Sequence, residues 1–180
     1  MTTTPDSTMT SQFLAYSRSK LMAQCWPRMR QCVESLTQEQ LWWRPNEASN
    51  SVGNLLLHLN GNVRQWLVVS FRELEDTRNR PVEFSTQEGA SAAELLGKLG
   101  QTLEEASEVL NRLTEAELLR RYTIQGYDVS GLEAVYKVVE HFMLHYGQIL
   151  YITKMLRKED LGYYSESKKS GKAQQGSTNG

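Results

Sequence analysis

Nowhere among the 180 residues do more than three aliphatic side chains follow one another, as in Leu55-Leu56-Leu57. A membrane-crossing helix needs about 20 apolar residues in succession, so no span is expected. With no basic-then-apolar leader at the start, a cytoplasmic protein is expected. Surplus positive charge is also lacking: 20 Lys+Arg against 21 Asp+Glu leave a net charge of −1 and a pI of about 6.3. No basic field is available to hold a phosphate backbone, and neither nucleic acid nor membrane is expected as a partner. Cysteine is scarce: Cys25 and Cys32 fall on one expected helix, about 10 Å apart along its axis, too far to be bridged there. They read as reduced core thiols. Histidine is nearly as scarce, with His58, His141 and His145 the whole complement.

What is present is helical periodicity. At 39% hydrophobic residues the chain is long enough for one core and too short for two domains. The Thr/Ser-rich residues 1–8 and the Ser/Lys/Gln/Gly-rich residues 163–180 offer little to anchor a core and are expected to be disordered, which leaves 9–162 as the domain. Four stretches in it carry a 3.6-residue apolar period. The first runs over about 9–36, with Leu14, Leu21, Cys25, Met29 and Cys32 on one stripe and a kink expected at Pro27. The second runs over 51–78. The third, 91–114, opens on the capping box Ser91/Glu94, and the fourth, 130–158, on Ser130/Glu133. The expected fold is therefore all-α, a four-helix bundle.

Two joints resemble each other. Leu36-Thr37-Gln38-Glu39-Gln40-Leu41 and Leu113-Thr114-Glu115-Ala116-Glu117-Leu118 are each a Thr-capped turn that follows one helix and precedes a histidine-bearing one. Two related helix pairs about a pseudo-twofold axis would bring His58 to face His141 and His145. Before the fourth helix, residues 121–129 alternate Tyr122, Ile124, Tyr127 and Val129 around Gly126, a short extended hairpin or loop rather than a sheet.

His141 and His145 are four residues apart, so on a helix their Cβ atoms lie roughly 5–6 Å from each other, close enough for both imidazoles to reach one ion. A helical projection groups them with Lys137, Leu144, Gln148, Ile152 and Met155 in a sector expected to face the bundle interior. The second helix carries a matching polar line of Asn54, His58, Asn62 and Gln65. A lone histidine is more often a satisfied core or surface group than a ligand. Three on inward stripes can be satisfied together by one divalent metal ion, with a coordination position left open for water or substrate. Phe142 follows His141 where a zinc protease would have its general-base glutamate, so the zincin motif is absent. Glu140 points about 100° away from His141 and reads as a surface group or as a support to a ligand. Asn54, Asn62, Gln65, Gln148 and Lys137 are candidate substrate-binding residues, with interhelical hydrogen bonding or a solvated rim as the plainer reading of each.

The stretch Ser49-Asn50-Ser51-Val52-Gly53-Asn54-Leu55-Leu56-Leu57-His58, followed much later by His141-Phe142-Met143-Leu144-His145-Tyr146-Gly147-Gln148, resembles the DinB/YfiT-like group of metalloenzymes, over about residues 9–161. The resemblance implies an up-down-down-up four-helix bundle, a site of His58, His141 and His145 for nickel, zinc or a similar divalent ion, one per chain, and a homodimer. It does not fix an activity, since characterised relatives include thiol-dependent transferases and isomerases. Two functions follow as expectations. One is a metal-dependent enzyme, a transferase or hydrolase, that moves a low-molecular-weight thiol onto an electrophile or hydrolyses a small molecule; the other is a non-catalytic metal-binding stress-response or interaction protein. A bundle with no metal at all is the third alternative.

Overall fold

Serine and threonine decide where this chain turns into helix. Five times a hydroxyl accepts from the backbone N–H three residues on, while the side chain at that position bonds back to the cap's own N–H. Two donors that a helix start leaves free are satisfied each time. In the computed structural model, which describes residues 8–158, these boxes are Thr37/Gln40, Ser51/Asn54, Ser91/Glu94, Thr114/Glu117 and Ser130/Glu133. They open α2 (Gln38–Trp42), α3 (52–72), α5 (Ala92–Arg112), α6 (Glu115–Leu119) and α7 (Gly131–Arg157). The other helices are α1 (9–34) and the short α4 (Arg80–Ser85), which has Pro81 in its first turn, where a missing N–H costs nothing. Thr8, expected to belong to a disordered leader, instead accepts from Ser11 N–H and caps α1. The expectations for residues 1–7 and 163–180 lie outside the described residues.

Two of the long helices contain a π-helical turn, Lys20–Cys25 in α1 and Arg64–Val69 in α3. Pro27 stands two residues after the first of these, so the irregularity expected at the proline takes the form of a widened turn just before it. The second helix stops six residues before its expected end. Glu73 adopts φ 52°, and Leu74 N–H bonds back to the Val69 carbonyl at 3.0 Å, a left-handed helix stop. Glu73, Leu74 and Glu75 are good helix formers and by themselves favour continuation. What wins instead is the pairing of Asp76 with Gln65 and of Arg78 with Glu83, which draws the chain back across α3.

The direction of the four long helices can be read from their contacts. Cys25 meets Met143 and Ser35 meets Arg157, so α1 and α7 run parallel. Asn60 meets Thr102 and Arg72 meets Glu108, so α3 and α5 run parallel. Trp66 meets Lys137 while His58 meets His141, so α3 and α7 run antiparallel. That is the up-down-down-up bundle. The core lies along its axis, with Met29, Leu59, Trp66, Leu99 and Phe142 at 0% exposure. Each such side chain contributes roughly 1.5–3 kcal/mol by leaving water. Between α6 and α7, Arg121–Ile124 (β1) pairs antiparallel with Tyr127–Ser130 (β2). The tight turn Gln125-Gly126 has φ 53° and 80°, the left-handed pair that a two-residue hairpin needs. The short extended hairpin expected before the fourth long helix is thus present, as a single antiparallel pair of strands.

Candidate metal centre

The register of α7 decides which residues reach the groove beside α3. Its core stripe is Val135, Val138, Phe142 and Ile149, all fully buried. His141 and His145 sit at the margin of that stripe, half-buried. The sector expected to point into the bundle does not do so as a whole: Lys137, Leu144, Gln148 and Met155 are exposed. The reason is that α7 presents apolar residues on both faces, so the helical period alone did not separate core from groove. His58 on α3 is 4% exposed and closes the site from behind.

Three imidazole nitrogens converge at this margin. His58 Nε2 lies 2.7 Å from His141 Nε2, and His145 Nε2 lies 3.1 Å from the same atom. Among the described residues these three are the one group of His, Cys, Asp or Glu ligand atoms gathered within 4.8 Å of each other. The tautomers follow from the outer nitrogens. His58 Nδ1 is 2.8 Å from a Glu83 carboxylate oxygen and 3.2 Å from Arg78 Nη2; the shorter contact is to a group that only accepts, which favours the proton on Nδ1. His145 Nδ1 is 2.6 Å from Gln148 Oε1 and donates to it by the same argument. Both Nε2 lone pairs are then aimed at His141 Nε2, which has at most one hydrogen to give. One cation among the three nitrogens would satisfy all of them. Nitrogens sharing a tetrahedral ion at 2.0–2.1 Å would stand about 3.3 Å apart; His141 and His145 stand close to that at 3.1 Å, and His58 and His141 would have to separate by about 0.6 Å from 2.7 Å.

Sequence reasoning missed the groups that hold His58. Glu83, on α4, is 7% exposed and is gripped by Arg78 through Nε at 2.7 Å and Nη2 at 2.8 Å. A carboxylate behind a ligating histidine fixes its ring and raises its basicity. Burial works against ionisation of Glu83, but the hydrogen bonds from Arg78 and then His58 outweigh it and hold its carboxyl below the usual range. Gly61 makes the arrangement possible, since a Cβ there would collide with Glu83 and Arg78. Burial, then the charges of His145, His58, Arg78 and Lys137, push His141 down to about 4. His145 is lowered too, by burial first. Both are therefore free of extra protons near neutral pH, as metal ligands must be.

The other candidates divide. Asn54 is fully engaged: its Oδ1 accepts from Ser51 and from Arg44 Nη2, and its Nδ2 donates to the carbonyls of Glu83 and Thr86. It ties the segment carrying Glu83 to α3. Gln65 is likewise occupied, bonded to Asp76, Arg78 and Gln125. Asn62 is 6% exposed, and its Oδ1 has no partner among the described residues. Lys137 Nζ lies 5.1 Å from the ring centre of Trp66 and 5.2 Å from that of Tyr127. Glu140 is exposed and lies outside the histidine group.

Fold and site together define an up-down-down-up four-helix bundle with a three-histidine group between its second and fourth long helices. Residues 8–169 match the family described as "Protein of unknown function (DUF1572)", and the chain belongs to that family. Three solved structures share the fold. A DinB-like protein, YjoA of Bacillus subtilis, is 19% identical over 85% of this chain and 97% of its own, with a TM-score of 0.61. A conserved protein of Enterococcus faecalis is 15% identical over 83% and 96%, also at 0.61. YfiT of Bacillus subtilis, described as a probable metal-dependent hydrolase with an unusual four-helix bundle topology, is 14% identical over 85% and 91%, at 0.65. No curated protein matches the chain.

Proposed function

We propose that this chain is a metal-dependent enzyme acting on a small molecule, by hydrolysis or by transfer of a low-molecular-weight thiol, with His58, His141 and His145 holding one divalent ion, zinc or nickel. The observation that carries the proposal is the convergence of three Nε2 atoms, with the outer nitrogens of two of the rings, His58 and His145, held by Glu83 and Gln148. The ion, when bound, would supply a Lewis acid able to activate water or a thiol at neutral pH. The chain's own residues do the rest. Glu83 and Gln148 keep both outer protons on Nδ1, so Nε2 faces inward. Half-burial of His141 and His145 leaves the outer side of the centre open to a substrate.

No protein thiol competes for the reaction. Cys25 and Cys32 are 1% and 0% exposed on α1, and burial pushes the Cys25 thiol up, away from thiolate, against the weaker pull of Lys20 and Arg28. Hydrolysis is favoured by the description that YfiT carries. A homodimer belongs to the same reading. Trp42 is not part of a dimer surface, because its ring packs on Gly53 and its Nε1 donates to the Ala90 carbonyl. Leu132 and Tyr136, 44% and 60% exposed on the outer face of α7, do. The test is a panel of esters, amides and thiol–electrophile pairs offered to zinc- and nickel-loaded protein. Turnover that is lost in His58→Ala, while the bundle still folds, supports the proposal. Turnover that survives removal of the metal contradicts it.

A further inference from the structure

Two groups compete for the outer nitrogen of His58, one that accepts and one that donates. Glu83 Oε2 lies 2.8 Å from His58 Nδ1, and Arg78 Nη2 lies 3.2 Å from the same nitrogen and 2.8 Å from that carboxylate oxygen. While Nη2 keeps to Glu83, Nδ1 donates to the carboxylate and carries the ring proton. Were Nη2 to turn onto Nδ1, the ring would have to accept there, and its proton would move to Nε2. The tautomer of His58 therefore depends on where one guanidinium stands. Two of its nitrogens, Nε and Nη2, grip Glu83, and the third, Nη1, is bound by Gln65 Oε1 at 2.8 Å. A planar group held along one edge is free to pivot about that edge; held at its third nitrogen as well, it is not.

Gln65 is itself held one way round. It is 8% exposed on α3, about two helical turns beyond His58. Its Oε1 accepts from Arg78 Nη1 and from Gln125 Nε2 at the hairpin tip, and its Nε2 donates to an Asp76 carboxylate oxygen. Turning the amide over would set its NH2 against two donors and its oxygen against a carboxylate. The other Asp76 oxygen accepts from the Arg78 backbone N–H at 3.1 Å, so the same carboxylate also shapes the loop that delivers Arg78. Helix, loop and hairpin thus meet at one amide. We infer that Gln65 is a positioning residue for the metal centre: by fixing Arg78 Nη1 it keeps Nη2 on Glu83, the His58 proton on Nδ1, and His58 Nε2 free to bind a metal ion. The inference rests on the proposed function for the part His58 plays as a ligand, and the tautomer it requires is measurable without any metal.

NMR of the chelator-treated chain, labelled with 15N in its histidine rings and held near neutral pH, reads the tautomers directly. Wild-type His58 should carry its proton mostly on Nδ1. Gln65→Met keeps the length of the side chain and removes the acceptor, and it should move a large share of His58 to the Nε2–H form. Zinc affinity should fall at least with the Nδ1–H fraction, about twofold when half remains and about tenfold when a tenth remains. Gln65→Glu restores an acceptor to Arg78 Nη1 and should return His58 to the wild-type tautomer. His145, whose Nδ1 faces Gln148, is the internal control and should not change, whereas a general loosening of the bundle would move both rings. Asp76→Ala alters an exposed side chain, so it reads the same effect at smaller amplitude should Gln65→Met fail to fold. A wild-type His58 already protonated on Nε2, an unchanged tautomer in folded Gln65→Met or, in its place, in Asp76→Ala, or equal shifts of His58 and His145 would each overturn the inference. Zinc stoichiometry of the wild type reports separately on the metal reading: a chain that binds no zinc refutes that reading, while the tautomer still decides whether Gln65 sets His58.

Discussion

Exchanging Glu83 for glutamine changes the metal centre without touching a ligand. The carboxylate accepts from His58 Nδ1 at 2.8 Å and pairs with Arg78 at 2.7 and 2.8 Å, and all three side chains are nearly out of water. Glutamine keeps the shape and one acceptor oxygen but loses the charge that favours the Nδ1–H tautomer. His58 then spends part of its time with its proton on Nε2, where it blocks coordination. Loss of such a support lowers metal affinity by about 10–100-fold, roughly 1.4–2.7 kcal/mol. Glu83→Gln also strands Arg78, and breaking a buried pair from one side costs about 3–5 kcal/mol; the amide oxygen that still accepts from Arg78 places this variant near the lower end. The double variant Arg78→Met/Glu83→Gln separates the two effects, because it removes the stranded cation and recovers stability without recovering the tautomer. Zinc affinity is read by competition with a chromophoric chelator at pH 7.5, and folding by urea titration of the metal-free chain. A folded Glu83→Gln that binds zinc within twofold of the wild type would refute the role assigned to Glu83.

Further outcomes follow from the same geometry. His141 sits at about 4 in the folded chain against an ordinary 6.5, so between those values the unfolded state holds more protons than the folded one. Its contribution to stability is full above about pH 6.5 and is lost as pH falls through about 4; Glu83, also depressed, acts in the same direction at the acid end. Chelator-treated protein should therefore melt at falling temperature from pH 7 to pH 4, and a flat profile would contradict this. Cys25→Ala/Cys32→Ala should cost about 1–3 kcal/mol in urea, since both thiols are buried, and leave turnover by folded protein intact. Loss of turnover with the metal still bound would return the cysteines to the mechanism. Light scattering at tens of micromolar should give twice the chain mass for wild type, and Tyr136→Glu should move it toward the monomer.

Much of this was legible in the sequence because it is local. Capping boxes such as Ser91/Glu94 and Ser130/Glu133 are read from two residues three apart, and the His141/His145 pair from one helical turn. The orientation of α7 was not, because that helix carries exposed Leu144 and Met155 beside its buried Phe142 and Ile149. A hydrophobic period reports apolarity and does not say against what. Glu83 was invisible for a different reason. It lies on a six-residue helix with no period of its own, and its importance comes from chain reversal at Glu73 and the space left by Gly61. The one local mark was Pro81 in the first turn of that helix, which gives a start and no role.

Metal content of untagged protein tests the central claim most directly. Purified without an affinity tag and analysed by mass spectrometry of the elements, wild type loaded with zinc or nickel should retain one ion per chain. His58→Ala/His141→Ala/His145→Ala, folded by circular dichroism, should retain close to none. Equal metal content in the two proteins would contradict the assignment of His58, His141 and His145 as ligands, and the account of the site built on them would fail with it.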